Sequence, residues 1–322
     1  MTCRLLDGGI QEATPLWDGL LARKTNGSVF LTPQWQGVWW RHFGSPSELR
    51  LLAVGPQDAP LGLAPLRADG GHWRLLGSTD LFDYHDFIDA APGFHEALIE
   101  CLAAQSWQTL ELESLREGSP ALTHLPGLFE AQGWRVEVQD EDVVPGVALP
   151  ASWDEFLALL RKKDRHELRR KLRRLEAAGE HRIAVSTADS LEADLVRFTS
   201  LMAESREEKR DFLVPERQAF LADALGAMQE AGYLRLLTLE LEGEAAAAVI
   251  CFDFGGTRYL YNSGYRLALG QLSVGLMLKA LAIKDAIEQG LGYFDFLRGD
   301  EPYKYHLGAQ DVGLRRMLVS RA

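Results

Sequence analysis

A dense group of polar side chains follows a short aromatic-rich segment near the end of this 322-residue chain. The run FDFLRGDEPYKYHLGA spans residues 294–309, and its polar residues include Arg298, Asp300, Glu301, Tyr303 and Lys304. Loops just beyond the carboxyl end of a strand are the usual ligand sites of open α/β sheets. Such a loop offers Glu301 or Asp300 as a base, Tyr303 as an acid and Lys304 as an electrostatic clamp. A solvated turn with incidental charges is the alternative.

A second candidate is the junction between a predicted strand and a predicted helix, RLALGQLSVGLMLKAL at 266–281. The helix is predicted to begin around Ser273, Val274 and Gly275. Free backbone N–H groups and the helix dipole at such a start can bind a pyrophosphate or an oxyanion. Backbone N–H groups near Ser263 are a further candidate for oxyanion stabilisation. The alternative is an ordinary helix start with Ser273 as its N-cap.

The segment RKKDRHELRRKLRR, from Arg161 to Arg174, contains nine Lys/Arg and two acids in a chain of net charge −12. Leucines at spacings of four and three give this predicted helix one apolar seam, which leaves most arginines on other faces. We expect Arg165 and Arg169 to contact phosphate of the donor or the acceptor. Arg206 and its basic neighbours could add to this field. A solvated helix surface is the alternative.

The run DLFDYHDF brings four side chains with metal-binding or acid–base capacity close together in the first half, namely Asp80, Asp83, His85 and Asp86. Alternate residues of a strand point to opposite faces, so Asp83 and Asp86 diverge unless the strand bulges. We therefore predict no metal site and expect these two aspartates to line an acceptor cleft. An exposed strand end is the alternative. The predicted acceptor-binding set is completed by Arg206, Tyr261 and Arg298.

The composition excludes several classes of protein. A net charge of −12 argues against a general nucleic-acid binder, and we expect no DNA partner. No apolar run reaches the ~20 residues that a membrane helix needs, so no membrane span is predicted. Three widely spaced cysteines without a CxxC pair predict neither a disulfide framework nor a zinc site. These features favour a cytoplasmic protein.

The elements that must position these residues fall into two halves. Thr14-Pro15 and Thr32-Pro33 each place a capping hydroxyl before a proline, which predicts two helix starts. Pro145-Gly146 and Pro150 mark a boundary, followed by a capping box at Ser152. We predict two α/β domains with mixed sheets, residues 1–150 and 151–322, the second carrying the donor site and the chemistry.

A weak internal repeat supports two copies of one unit. LRLL at 49–52 and at 234–237 is followed at the same distance by Gly70-Gly71 and Gly255-Gly256. In both halves the predicted order is a strand meander, a helix and a strand. We predict that residues 49–115 and 234–297 form the same unit, and that the two copies face each other across a cleft.

Several segments together resemble a known family. YLYNSGYR, LSVGLML, YFDFLRGDEPYKYHLG and KKDRHELRRKLRRLE are similar to the GNAT acyltransferases, in their Fem-type and CelD-like branch. VFLTPQWQGVWW and GSTDLFDYHDFID resemble the N-terminal parts of that branch. The resemblance implies two tandem GNAT-like domains that transfer an acyl group to an amine or a hydroxyl. It also implies a small-molecule or cell-envelope precursor, such as a polysaccharide precursor, as the acceptor.

The donor remains open between two classes. The ordinary GNAT donor loop reads Gln/Arg-x-x-Gly-x-Gly/Ala, whereas residues 270–275 read GQLSVG and lack the second small residue at that spacing. Acetyl-CoA or another acyl-CoA is the expected donor. Aminoacyl-tRNA, used by Fem-type peptidyltransferases, is the alternative. A non-catalytic GNAT-like module that binds a polyanion or a protein is the alternative from another class.

Overall fold

The computed structural model describes residues 3–25, 27–44 and 47–321. The helices are α1 Gly9–Leu21, α2 Pro33–Phe43, α3 Phe94–Ala103, α4 Pro120–Ala131, α5 Trp153–Leu159, α6 Lys162–Glu176, α7 Leu191–Ser205, α8 Glu207–Phe212, α9 Pro215–Glu230, α10 Val274–Glu288 and α11 Pro302–His306. The strands are β1 Cys3–Leu5, β2 Glu48–Val54, β3 Gly62–Asp69, β4 His72–Leu75, β5 Ile88–Asp89, β6 Thr109–Arg116, β7 Arg135–Ala148, β8 His181–Val185, β9 Leu234–Leu241, β10 Glu244–Phe254, β11 Thr257–Tyr265, β12 Tyr293–Asp295 and β13 Gln310–Ser320.

The chain divides into two compact units. The first contains residues 1–143 and 312–322, and the second contains residues 144–311. The sequence placed its domain boundary at 150/151 and assigned the C-terminus to the second domain. The last strand groups with the first unit because β13 pairs antiparallel with β6.

Both units contain the repeat that the sequence predicts. In the first unit β2, β3 and β4 form an antiparallel meander, and β4 pairs in parallel with β6 after α3. In the second unit β9, β10 and β11 form the meander, and β11 pairs in parallel with β12 after α10. The prediction that both halves contain the same meander, helix and strand, in mixed sheets, is confirmed.

Each unit has an apolar core of its own. In the first unit the inward faces of β2, β3 and β6 pack on α3 and α4, around side chains such as Phe94 and Phe129. In the second unit β9, β10 and β11 pack on α10 and α6, around Phe156 and Phe294. Leu168 and Leu175 of α6 are buried and Leu172 packs against them, which confirms the predicted seam. The basic residues of α6 are thus carried on its other faces.

Two of the three predicted helix caps are confirmed. Thr32 accepts a hydrogen bond from the Trp35 backbone N–H at 3.3 Å, and Ser152 accepts one from Glu155 at 3.2 Å. The predicted start at Thr14-Pro15 is wrong, because α1 begins at Gly9 and Pro15 lies inside it. Thr14 instead donates to the Ile10 carbonyl, four residues earlier. Burial of Ile10 and Trp17 carries the helix across the proline.

The expectation that no disulfide forms is also wrong. Cys3 and Cys101 are bonded, with their Cα atoms 5.3 Å apart. Their separation of 98 residues is bridged because β1 pairs with β2 and α3 packs on both strands. Cys251 is a buried free thiol. No helix within the described ranges is long and apolar enough to cross a membrane.

Candidate functional site

The second unit contains an opening between two parallel strands. β11 and β12 pair only from Thr257 opposite Tyr293 to Tyr259 opposite Asp295. β12 then ends, and β11 continues to Tyr265 without a strand on that side in the described part of the chain. A bulge opposite Ile250/Cys251 leaves Tyr261 between the paired residues of β11. A bulge re-aims side chains and ends regular pairing, so this edge has backbone available for a ligand.

The start of α10 lies beside the basic helix. α10 begins at Val274, as predicted, and Ser273 precedes it in the left-handed region at φ 55°. The Ser273 hydroxyl does not cap the helix; it accepts a hydrogen bond from the Lys171 ammonium at 3.0 Å. Arg174 also donates to the Gln271 carbonyl at 2.9 Å. The structure thus brings together two segments that the sequence named separately as phosphate sites.

Gly275 has a packing role at this junction. A Cβ added to it would lie 2.8 Å from the Tyr265 ring, and Val274 beside it is buried. The glycine lets the first turn of α10 approach the end of β11. Of the two predicted α6 arginines, Arg165 donates to the Ala158 carbonyl at 3.2 Å, and Arg169 is exposed.

Lys304 lies on α11 and not in an open loop, contrary to expectation. Its side chain is buried, and its ammonium donates to the carbonyls of Leu297, Arg298 and Gly299 at 2.8, 2.7 and 2.8 Å. An ammonium has three N–H donors, so these three bonds use them all. Leu297 and Gly299 both have positive φ, at 57° and 103°. Lys304 therefore fixes the shape of the loop after β12; its proposed action on a reacting charge stays a prediction.

Of the two candidate bases, Asp300 is exposed and Glu301 is half-buried. Burial alone would raise the pKa of Glu301, but the Lys304 ammonium, 2.9 Å from its carboxylate, keeps that pKa below the usual range. Glu301 is therefore ionised at neutral pH and able to accept a proton. Burial and the nearby Glu301 charge raise the pKa of the Tyr303 phenol, so that phenol stays protonated.

Residues 162–305 match a family model described as an acetyltransferase (GNAT) domain. The match lies within the second unit, which we call the GNAT-type domain. No curated protein sequence matches the chain.

The chain is similar in fold to several solved structures. The crystal structure of FemX matches with a TM-score of 0.67 and 14% identity, over 98% of this chain and 97% of that one. L-PGS from Bacillus licheniformis matches with a TM-score of 0.52 and 14% identity, over 89% and 90%. A tandem GNAT protein from the clavulanic acid biosynthesis pathway, solved without AcCoA, matches with a TM-score of 0.51 and 12% identity, over 100% and 99%.

Near the end of β11, the GNAT-type domain holds two lysines with low pKa. Lys209 of α8 donates to Asn262 Oδ1 at 2.9 Å and to the carbonyl of Ser263. Burial and the neighbouring Arg206 lower the pKa of Lys209 to about 8. Lys279 of α10 is buried, and its ammonium lies 4.3 Å from the centre of the Tyr303 ring. Burial and adjacent cations lower its pKa to about 7.

The predicted oxyanion donor at Ser263 is already engaged. Its backbone N–H donates to Asn262 Oδ1 at 2.8 Å, and its hydroxyl lies 3.4 Å from the Lys209 ammonium. The backbone N–H groups of the first turn of α10 remain as the donors for an anion at this end of the domain.

The predicted acceptor residues are divided between the units. Arg206, Tyr261 and Arg298 belong to the GNAT-type domain, whereas Asp83 and Asp86 belong to the first unit. Asp83 is buried. Asp86 accepts hydrogen bonds from Lys24 at 3.2 Å and from Ser119 at 2.9 Å, beside a cavity of about 290 Å³. Among the described residues, no cluster of His, Cys, Asp or Glu is arranged to hold a metal ion.

Sequence reasoning missed Lys279 and Lys171 as site residues. Lys279 stands in the apolar run VGLMLKALAI, where a single charge on the buried face of a helix is a usable signal. Lys171 was hidden among nine basic residues of one segment, and only the fold shows which of them faces Ser273.

Proposed function

We propose that this protein transfers an acyl group, acetyl in the first instance, from acyl-CoA to an amine or hydroxyl acceptor in its GNAT-type domain. The observation that carries the proposal is the junction of Lys171, Arg174 and Ser273 at the start of α10, next to the opening between β11 and β12. A helix start flanked by cations suits the phosphates of such a donor. The match to an acetyltransferase domain favours the acyl-CoA class.

In the proposed transfer, different residues of the domain accept the proton, donate a proton and hold the loop. The donor, when bound, supplies an activated thioester carbonyl. Glu301 accepts the proton that the acceptor nitrogen or oxygen loses as it attacks this carbonyl carbon. Backbone N–H groups stabilise the oxyanion, and the Tyr303 phenol protonates the leaving thiolate as the carbon–sulfur bond breaks. Lys304 holds the loop that carries Glu301 in its working shape.

The acceptor belongs, in this proposal, to the class of cell-envelope or polysaccharide precursors. With a CoA thioester as donor, the reaction takes place in the cytoplasm. The Cys3–Cys101 bond would be exposed to reducing conditions there. Counting titratable thiols of protein purified from cells under denaturing conditions shows whether that bond is present: one thiol if it is, three if it is not.

A second candidate donor is aminoacyl-tRNA, favoured by the exposed arginines of α6. Arg169 and Arg173 are exposed, and within the described part of the chain they make no ion pair. A basic surface of this kind fits an RNA backbone as well as a short phosphate chain.

The test compares both donors on the intact protein. Calorimetric titration with acetyl-CoA and with charged tRNA measures which donor binds, and thiol release from acetyl-CoA with a panel of amines measures turnover. We expect saturable acetyl-CoA binding and acceptor-dependent thiol release that Glu301→Gln lowers. Binding of tRNA alone would contradict the acyl-CoA proposal. Binding of either donor without turnover would favour the non-catalytic module.

A further inference from the structure

Lys279 is the buried charge that the proposed chemistry leaves unused. It lies on the inner face of α10 and is 8% exposed. Its ammonium packs on the Tyr303 ring at 4.3 Å, and no described residue accepts a hydrogen bond from it. Burying a lysine side chain this deeply removes hydration from its ammonium, and a cation–π contact offsets only part of that cost.

The charged groups around Lys279 are mostly cations. Lys209 and Arg206 act on it from the region of α7 and α8, Lys304 from α11, and Glu301 is the one carboxylate among these neighbours. Glu301 is 2.9 Å from Lys304, so its charge is already matched by that lysine. Lys209 donates only to the neutral Asn262 and Ser263. The cluster therefore carries positive charge that no described side chain neutralises.

We propose that Lys279 and Lys209 form a subsite for an oxyanion, a carboxylate or a phosphate, carried by one of the substrates. This inference rests on the proposed transfer function and specifies its substrate class: the group bound beside Tyr303 bears a negative charge. Such a ligand would accept the free ammonium donors of Lys279 and balance the cluster, giving charge-assisted hydrogen bonds in a buried setting.

Binding of the anion is coupled to uptake of protons. Burial and the facing cations lower the pKa of Lys279 to about 7 and that of Lys209 to about 8, so both are partly neutral slightly above neutral pH. An anion beside them favours their charged forms and raises both pKa values. If Lys279 instead acted as a neutral proton acceptor, a bound anion would be unfavourable, because it would convert the neutral amine to the charged ammonium.

The experiment titrates the intact protein, without donor, with acetate and separately with inorganic phosphate. Calorimetry near pH 8 in two buffers of different ionisation enthalpy gives the affinity and the protons taken up. We expect saturable binding of one of the two anions with net proton uptake. The arm that binds identifies carboxylate or phosphate. No saturable binding of either anion, or binding without proton uptake, would overturn the subsite.

Lys279→Met removes the charge at similar volume, and Lys284→Met on the same helix is its matched control. Lys284 is 43% exposed and pairs only with Glu288 at 3.7 Å. We expect Lys279→Met to weaken anion binding by about tenfold or more and Lys284→Met to leave it unchanged. Equal affinity in both variants overturns the proposal. The proton uptake of the unaltered protein needs no variant, so a misfolded Lys279→Met does not remove the test. If the unaltered protein binds the anion but does not turn over acetyl-CoA, the transfer function is disproved and the anion subsite is not.

Discussion

The Lys171 ammonium donates to the Ser273 hydroxyl at 3.0 Å and so joins the basic helix α6 to the start of α10. Ser273 has φ 55° and gives no cap to its own helix, so its hydroxyl is free to accept this bond. The bond positions a cation beside the unpaired N–H groups of the first turn. A basic segment and a helix start thereby form a single corner, the one at which we propose that the donor phosphates bind.

Removing the Lys171 charge should weaken binding of the donor. We expect Lys171→Gln to raise the Kd of acetyl-CoA about tenfold, which corresponds to about 1.4 kcal/mol for one lost charge-assisted contact. Lys163→Gln, an exposed lysine on the same helix, is the matched control and should leave the Kd unchanged. Calorimetric titration measures both values. Equal acetyl-CoA affinities of the two variants would show that the donor phosphates bind elsewhere.

A buried arginine network fixes β10, β11 and α10 relative to one another. Arg258 is fully buried and donates to Asp253 at 2.7 and 2.6 Å, to Asp285 at 2.5 Å and to the Ala282 carbonyl at 3.0 Å. Removing Arg258 leaves Asp253 without this partner, whereas Asp285 keeps its two hydrogen bonds from Arg235 at 3.0 and 2.6 Å.

We expect Arg258→Met to lower the free energy of unfolding by about 3–5 kcal/mol. Arg266→Met is the control, because Arg266 makes only an exposed pair with Glu244 at 3.4 Å, and its loss should cost under about 1 kcal/mol. Denaturant unfolding followed by circular dichroism measures both. A similar small loss in the two variants would show that the network contributes little to stability.

Local patterns predicted the elements well, and long-range contacts account for the differences. Thr32 and Ser152 act as caps because a cap depends on residues two or three positions away. The Cys3–Cys101 bond depends on strand pairing across 98 residues, which cysteine spacing cannot reveal. The prediction of a helix start at Thr14-Pro15 is wrong because burial of Ile10 and Trp17 outweighs the hydrogen bond lost at the proline.

The site shows the same division. The sequence placed the candidate site in the loop after β12 and at the start of α10, since both follow recognisable strand and helix signals, and this placement stays a prediction. It could not show that Lys304 turns inward to three backbone carbonyls, because those carbonyls belong to a loop with positive φ at Leu297 and Gly299. Nor could it pair Lys171 with Ser273, which are 102 residues apart.

The low pKa of Lys279 makes stability depend on pH in a defined direction. Burial and adjacent cations hold its folded-state pKa at about 7, below the ordinary lysine value of 10.5. Between these values the unfolded chain binds more protons than the folded chain, so stability rises with pH. The loss of stability caused by burying the charged Lys279 has its full value below about pH 7 and disappears as pH approaches 10.5. Lys209, with a pKa of about 8, acts in the same direction over the upper part of this range.

Lys279→Met should therefore be more stable than the unaltered protein near pH 7, by an amount that shrinks by about 1 kcal/mol per pH unit as pH rises. Chemical denaturation at several pH values between about 7 and 10 measures this difference. Lys284→Met, at an exposed position, should show no such trend. A constant difference across the range would show that Lys279 is charged throughout.

Lys304 and Arg169 should affect different kinetic steps, because one is buried and the other is exposed. Lys304 donates to three carbonyls of the loop that carries Glu301, so Lys304→Met should loosen that loop and lower kcat/KM by about 10²-fold. Lys304→Arg should not restore activity, because a planar guanidinium cannot reproduce the three bonds of the ammonium. Faster hydrogen exchange in residues 297–301 of Lys304→Met would report the loosened loop directly.

Arg169 lies on the exposed face of α6, where its charge acts through solvent. Arg169→Ala should mainly raise KM by a few-fold, and this effect should fade at high salt because exposed charges are screened over ~8 Å at physiological ionic strength. The Lys304→Met defect should persist at high salt, since its bonds are buried. Kinetics of both variants at low and high salt separate the two roles. The same salt-sensitive KM effect in both would make Lys304 part of a diffuse phosphate field, and no effect in either would place the active site elsewhere.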